Sequence, residues 1–150
     1  MAKICREEKL AQIELAINGP REFLRGQGWN CVEAFAVSRD LWLYHNYLSS
    51  SRAEFSVAKE TYVKTNSGWF SDRTECYLAA GCPAVVQETG FSRVLPVGKG
   101  LFSWNTLEEV LERMREVERD WTLQSTAAHE TACEHFDATK VLGRLLDACQ

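Results

Sequence analysis

Apolar residues recur along the chain at two different spacings, which predict alternating helices and strands. Stripes at helical spacing predict helices over the following segments: 3–17, 20–27, 38–51, 72–80, 106–119, 121–135 and a last one from residue 137. Short runs that alternate or are continuously apolar predict strands at 29–34, 53–58, 83–87 and 100–104. Strands separated by helices indicate an α/β fold, with a parallel sheet of about four strands flanked by helices and a helical C-terminus.

Several residues predict where these elements begin and end. Pro20, within Asn-Gly-Pro, ends the first helix, and Ser38 is the expected N-cap of the helix over 38–51. Gly81 suits the end of the helix that starts at residue 72. Thr106 to Glu109 has the form of a capping box, and Asp137 is expected to cap the last helix. Residues 59–71 are expected to form a loop.

Composition and charge narrow the class of protein. The 150 residues are 45% hydrophobic and 25% charged, which is typical of one globular domain. A net charge of −4 disfavours nucleic acid and anionic membranes as partners. The charged N-terminus lacks the apolar core of a signal peptide, and the chain has no apolar run of membrane-spanning length. We therefore expect a cytoplasmic protein whose six cysteines are reduced.

The segment 62–75 is the first candidate for chemistry, because it follows a predicted strand and leads into a predicted helix. Ligands of open α/β sheets bind beyond the carboxyl ends of the strands, where helix N-termini favour anions such as phosphate. The candidate residues are Lys64, Ser67, Gly68, Ser71, Asp72, Arg73 and Glu75. The alternative is that Ser71 or Asp72 only caps the helix and Trp69 only packs, and spacing alone favours this alternative.

A second candidate is the turn at 87–92, just after the third predicted strand. Gly90 would let the backbone approach a diphosphate, and Thr89 would supply a hydroxyl donor. The same residues would also suit an ordinary turn between a strand and a helix.

Histidine and cysteine residues suggest two further kinds of site. His129 and Cys133 lie four residues apart, as two metal ligands on one helix would, with Glu130 and His135 nearby. No second cluster supplies more ligands, so a solvated helix face is the favoured interpretation. For a nucleophilic cysteine with a histidine base, nothing local in the sequence selects one pair among the six cysteines and three histidines.

Much of the chain resembles a known family. The matching stretches are 51–59, 62–73, 76–87 and 89–91, and the match is most specific between Ser51 and Gly100. They resemble the C-terminal, donor-binding domain of bacterial GT-B glycosyltransferases of the glycosyl-transferase group 1 type. The resemblance implies a Rossmann-like domain, truncated at its N-terminus, that binds a nucleotide-diphosphate sugar as donor. It also implies a separate N-terminal acceptor domain, and it requires neither a metal nor another cofactor.

The chain departs from the family at the residues that many relatives use. Those relatives carry two glutamates seven residues apart. When the chain is aligned on Gly81-Cys-Pro83, the second position falls at Cys76 and the first at Gly68, while Glu75 is one residue early. The carboxylate pair therefore cannot be carried over to this chain, and its catalytic residues stay unknown.

Two hypotheses follow. In the first, the nucleotide-sugar donor binds across the loop 64–75 and the turn 89–92, where Lys64 and Arg73 neutralise the diphosphate and helix amides at 72–74 donate to it. In the second, the chain is an inactive remnant that folds and self-associates without turnover. Both predict a homodimer, because a sheet without its first strands exposes an edge. Nucleotide binding distinguishes them.

Overall fold

The computed structural model describes residues 12–149. The chain divides into two compact units, one ending at Ser50 and the other beginning at Ser51. We describe each unit separately, and the assignment of the whole chain to one domain stays a prediction.

Over residues 12–50, the described part of the first unit, the chain forms two short parallel strands and three helices. Their bounds are β1 Glu14–Ala16, α1 Arg21–Gly26, β2 Asn30–Val32, α2 Ala34–Ser38 and α3 Leu41–Ser49. Leu15 of β1 pairs with Cys31 of β2. The Asp40 carboxylate begins α3 by accepting hydrogen bonds from the amides of residues 42 and 43.

The second unit is built on three parallel strands in the order β3-β4-β5. Its strands are β3 Glu54–Ser56, β4 Ala84–Gln87 and β5 Leu101–Trp104. Its helices are α4 Glu60–Thr65, α5 Asp72–Ala79, α6 Leu107–Arg119, α7 Trp121–His135 and α8 Ala138–Ala148. A single 3-10 turn at Phe91–Arg93 lies between β4 and β5. Spatial order follows chain order, so the sheet winds in one direction.

One face of this sheet carries the hydrophobic core of the second unit. Alternate strand residues point to this face, and α5 and α7 pack on it. The buried cluster consists of Leu78, Ala84, Val86, Phe91, Leu101, Ala128 and Ala132. Helix α6 also contacts β4 and β5, and it buries Val110 and Val117. The sheet is thereby held rigidly beneath the loops at its carboxyl ends.

The structure confirms a mixed α/β chain with parallel strands flanked by helices, but the strands do not form one four-stranded sheet. Three of the four predicted strands form β3, β4 and β5 together. The fourth, predicted at 29–34, forms β2 and pairs with β1 in a separate sheet. Residues 14–16 were expected to be helical, and their pairing with β2 overrides the helical spacing. Residues 12, 13 and 17 of that predicted helix are not helical either, and residues 3–11 lie outside the described residues.

Two other boundaries differ from expectation. The helix expected over 38–51 begins only at Leu41, as α3, because Asp40 and not Ser38 caps it. Ser38 is instead the last residue of the separate helix α2, where its hydroxyl donates to the Ala34 carbonyl. The loop expected over 59–71 contains α4, which ends at Asn66 in the left-handed conformation, φ 51°. The hydrophobic pattern alone shows neither the Asp40 cap that begins α3 nor the left-handed Asn66 that follows α4.

Other predicted features are confirmed. The side chains of Thr106 and Glu109 form the expected capping box, and Asp137 accepts a hydrogen bond from the Lys140 amide. Gly81 follows α5 with a φ of 73°. No disulfide joins any of the five cysteines in the described part of the chain. Within residues 12–149, none of the helices combines the length and apolarity that crossing a membrane requires.

Candidate functional site

The carboxyl ends of β3, β4 and β5 lie at one edge of the sheet, because the three strands are parallel. Hydrogen bonds tie these ends together. The Ala58 amide donates to Oε1 of Gln87 over 3.1 Å, and the Glu88 amide donates to the Trp104 carbonyl over 2.9 Å. This edge is the place where open α/β sheets bind ligands.

The two candidate loops meet at this edge. The Gly68 amide donates to the Thr89 carbonyl over 2.7 Å, and the Thr89 hydroxyl donates to the Trp69 carbonyl over 2.6 Å. Thr89 is buried, so these bonds are shielded from water. Segments that the sequence analysis proposed separately therefore form one structure, in which Gly68, Thr89 and Gly90 are neighbours.

Gly90 allows the close approach of the two loops. Its φ is 102°, and an added Cβ would lie 2.9 Å from the Asn66 carbonyl oxygen and 2.7 Å from its Oδ1. Only glycine adopts this backbone conformation at low cost while leaving room for Asn66.

Gly90→Ala should therefore lower the free energy of unfolding by about 2–4 kcal/mol, since it adds backbone strain and a contact with backbone. Gly68→Ala is the matched control, because its φ of 75° is also positive but no described atom lies within 4 Å of the added Cβ. It should cost only the strain of about 1–2 kcal/mol. Urea unfolding of both variants measures the difference, and equal losses would contradict the close approach.

The start of α5 differs from the simple capped helix that the alternative interpretation assumed. Ser71 occupies the N-cap position, but its hydroxyl contacts Oδ1 of Asp72 at 3.4 Å, and no capping bond from its side chain is present in the described structure. Oδ1 of Asp72 accepts from the Arg73 amide over 2.9 Å, and Oγ of Ser67 accepts from the Trp69 amide over 3.3 Å. The hydroxyl of Ser67 and the carboxylate of Asp72 thus organise local backbone.

The first turn of α5 is acidic. Partial burial raises the pKa of Glu75, and the neighbouring Asp72 carboxylate raises it further. Partial burial also raises the pKa of the Cys76 thiol, with added effects from carboxylates that include Asp72. Carboxylate oxygens at this position can accept hydrogen bonds from sugar hydroxyls.

Both cations predicted to bind phosphate have carboxylate partners. Lys64 Nζ lies 2.7 Å from Glu60 on the exposed side of α4. Arg73 Nε donates to Glu54 Oε1 over 2.7 Å, and its Nη2 donates to the Ser56 hydroxyl over 3.1 Å. Much of the Arg73 side chain remains exposed, whereas the Glu54 side chain is only 3% exposed. Each of the two cations is therefore already paired with a carboxylate, and neither charge is left uncompensated for an anion.

Glu54 is a buried carboxylate near this edge that was not among the candidate residues. Strand β3 buries Glu54 and Ser56, whereas Val57 beyond its end is 61% exposed, so polar residues of this segment face the interior. The ion pair with Arg73 offsets the free-energy cost of burying the Glu54 carboxylate. Oε2 of Glu54 is buried and has no hydrogen-bond partner among the residues described.

Aromatic side chains also line this edge of the unit. Tyr62 and Trp69 stack with ring centroids 4.9 Å apart, and Lys59 Nζ lies 6.0 Å from the Tyr62 ring centroid. The stacking of Trp69 on Tyr62 is consistent with the alternative interpretation, in which Trp69 only packs.

Comparisons of the chain with protein-family models, with curated proteins and with solved structures gave no match. The resemblance to GT-B glycosyltransferases therefore stays a prediction.

Proposed function

We propose that the second unit is the later part of a Rossmann-like donor domain and binds a nucleotide-diphosphate sugar at the carboxyl edge of β3, β4 and β5. The observation that carries this proposal is the joining of the two loops through Gly68 and Thr89 over 2.7 Å. Parallel strands, a helix N-terminus and glycines at positive φ together suit the approach of a diphosphate to the backbone.

In this proposal the chain binds the donor mainly through backbone groups and carboxyl groups. Amides at the start of α5 other than that of Arg73, which donates to Asp72, bind the diphosphate, and Asp72 and Glu75 accept hydrogen bonds from sugar or ribose hydroxyls. Donors placed there stabilise the nucleotide diphosphate as it departs, because its negative charge grows in the transition state. The base that activates the acceptor belongs to a separate acceptor domain.

The charges of Lys64 and Arg73 contribute less than the sequence alone suggested. Each is balanced by a carboxylate, at 2.7 Å in both pairs. Lys64 can turn from Glu60 to a ligand at little cost, because exposed ion pairs are weak. Arg73 is held by the buried Glu54, so its role is to keep α5 in place against β3 while its exposed part remains near the ligand.

A second candidate function is the remnant that folds without binding a donor. The acidic first turn of α5 favours it, because carboxylates of Asp72 and Glu75 repel a diphosphate. The two candidates predict opposite results in nucleotide-binding calorimetry: the donor site binds a nucleotide diphosphate, and the remnant does not.

Calorimetry with UDP, GDP and ADP should detect weak binding, with Kd near the millimolar range, if the donor-site proposal is correct. Lys64→Ala should weaken binding about three- to tenfold, because one solvent-exposed hydrogen bond, worth about 0.5–1.5 kcal/mol, is lost. Lys99→Ala is the matched control: Lys99 is also exposed but precedes β5, at the opposite edge of the sheet.

Two results would contradict the proposed site. If the wild type melts cooperatively but binds none of the nucleotides at millimolar concentration, the remnant is the correct interpretation. If Lys99→Ala weakens binding as much as Lys64→Ala, the attraction is general and not located at this edge. The proposal also includes the homodimer expected from the sequence, and light scattering of the full chain tests it.

A further inference from the structure

A thiol and an imidazole lie side by side on α7. Cys133 Sγ is 3.5 Å from His129 Nε2, a distance at which a thiol donates to nitrogen. The two residues are four apart and share one face of the helix. Both are exposed, so reagents in solution can reach the pair.

The other nitrogen of the His129 ring is held by the end of a neighbouring helix. Nδ1 lies 3.0 Å from the carbonyl oxygen of Ala79, the last residue of α5. Because a carbonyl can only accept, a neutral ring carries its proton on Nδ1, and the lone pair of Nε2 faces the thiol. His129 is therefore oriented to accept the thiol proton.

Charged groups around the pair have mixed signs. Lys140 Nζ donates to the Cys133 carbonyl over 2.9 Å, which places a cation within one turn of the sulfur. Glu130 and Glu134 lie beside the pair on α7, and the Glu134 carboxylate is 4.0 Å from His135 Nε2.

We infer that Cys133 is a modification site that reacts with low-molecular-weight disulfides, with His129 as the base. The proton of Sγ passes to His129 Nε2, and the thiolate attacks one sulfur of the disulfide. A new S–S bond forms to Cys133 as the S–S bond of the reagent breaks. The leaving thiolate departs with the electron pair and takes the proton from the imidazolium. Cys133 is oxidised to a mixed disulfide and half of the reagent is reduced to a thiol.

Two other exposed thiols provide controls within the same molecule. Cys149 is exposed at the end of α8, outside the helix that carries the pair. Cys76 is exposed on α5, where partial burial and then Asp72 raise the pKa of its thiol. We therefore expect the order of reaction Cys133, then Cys149, then Cys76.

The test uses the full chain at pH 7 with hydroxyethyl disulfide, which is uncharged, and follows each cysteine peptide by mass spectrometry over time. An ordinary thiol is only about 3% ionised at this pH, so a base that removes the thiol proton speeds the attack. Because His129 lies next to Cys133, Cys133 should react at least about threefold faster than Cys149. His129→Gln should slow Cys133 to the rate of Cys149. His135→Gln, which changes another histidine of α7, should leave the rate unchanged.

Equal rates for Cys133 and Cys149 in the wild type would overturn the inference, and so would an unchanged Cys133 rate in His129→Gln. Reaction of the buried Cys31 and Cys82 reports whether a variant has unfolded. If His129→Gln unfolds, the rates of Cys133 and Cys149 in the wild-type protein still test the inference. This inference is independent of donor binding at the sheet edge.

Discussion

Replacing Gly100 with alanine should remove at least about 4 kcal/mol from the free energy of unfolding, or prevent folding. An added Cβ would collide with the backbone nitrogen of Ala128 and lie 2.6 Å from the carbonyl carbon of Ala127. These are backbone atoms of α7, so no side chain can rotate away to relieve the contact. The φ of 68° at Gly100 adds strain for any residue with a Cβ.

Gly100 is also fixed by hydrogen bonds on both sides. Its amide donates to Oε1 of the buried Gln124 over 2.8 Å, and its carbonyl accepts from the Ala84 amide over 2.8 Å. A shift of the backbone would break the start of the pairing between β4 and β5. The collision therefore cannot be avoided cheaply.

Gly98→Ala is the matched control for this substitution. Its φ of 106° is also positive, but no described atom lies within 4 Å of its added Cβ. It should lose only about 1–2 kcal/mol through strain. Circular dichroism and urea unfolding compare the two variants, and similar losses would show that α7 does not approach the strand this closely.

Arg73→Ala should lower the free energy of unfolding by about 2–3 kcal/mol. Removing one partner of a fully buried ion pair costs about 3–5 kcal/mol, because the other charge is left without compensation. The Glu54 side chain is only 3% exposed, but the Arg73 side chain is 48% exposed, so water weakens the pair and the expected loss is smaller.

Two further variants separate this effect from general surface changes. Lys64→Ala removes the exposed Glu60 pair and should cost only about 0.3–0.5 kcal/mol. Glu54→Gln introduced together with Arg73→Ala should recover part of the loss, because the buried group is then neutral. If Arg73→Ala and Lys64→Ala have equal effects in urea unfolding, Glu54 does not depend on Arg73.

The ion pair also decides how a binding experiment on Arg73 is interpreted. The sequence analysis assigned Arg73 to the diphosphate, which predicts that Arg73→Ala abolishes nucleotide binding. The same variant removes the partner of Glu54, so lost binding would also follow from a displaced α5. A thermal melt of the variant, measured beside the calorimetry, distinguishes a lost ligand contact from a damaged fold.

Much of the second unit could be predicted because its signals are local. The apolar run at 83–87 and the capping box at Thr106 each lie within a few consecutive residues, and both are confirmed. The loops around Gly68 and Gly90 were recognised from residue types alone. That the loops bond to each other was not predictable, since about twenty residues separate the amide of Gly68 from the carbonyl of Thr89.

The sequence by itself determined the α/β class, most helices of the second unit and the residue types at the candidate site. Only the tertiary structure decided the pairing of residues 14–16 with β2, the burial of Glu54 beneath Arg73, and the orientation of His129 by Ala79. The physical reason is the range of the interactions. Periodicity and capping act within one or two turns, whereas strand pairing and buried ion pairs depend on groups that meet only when the chain has folded.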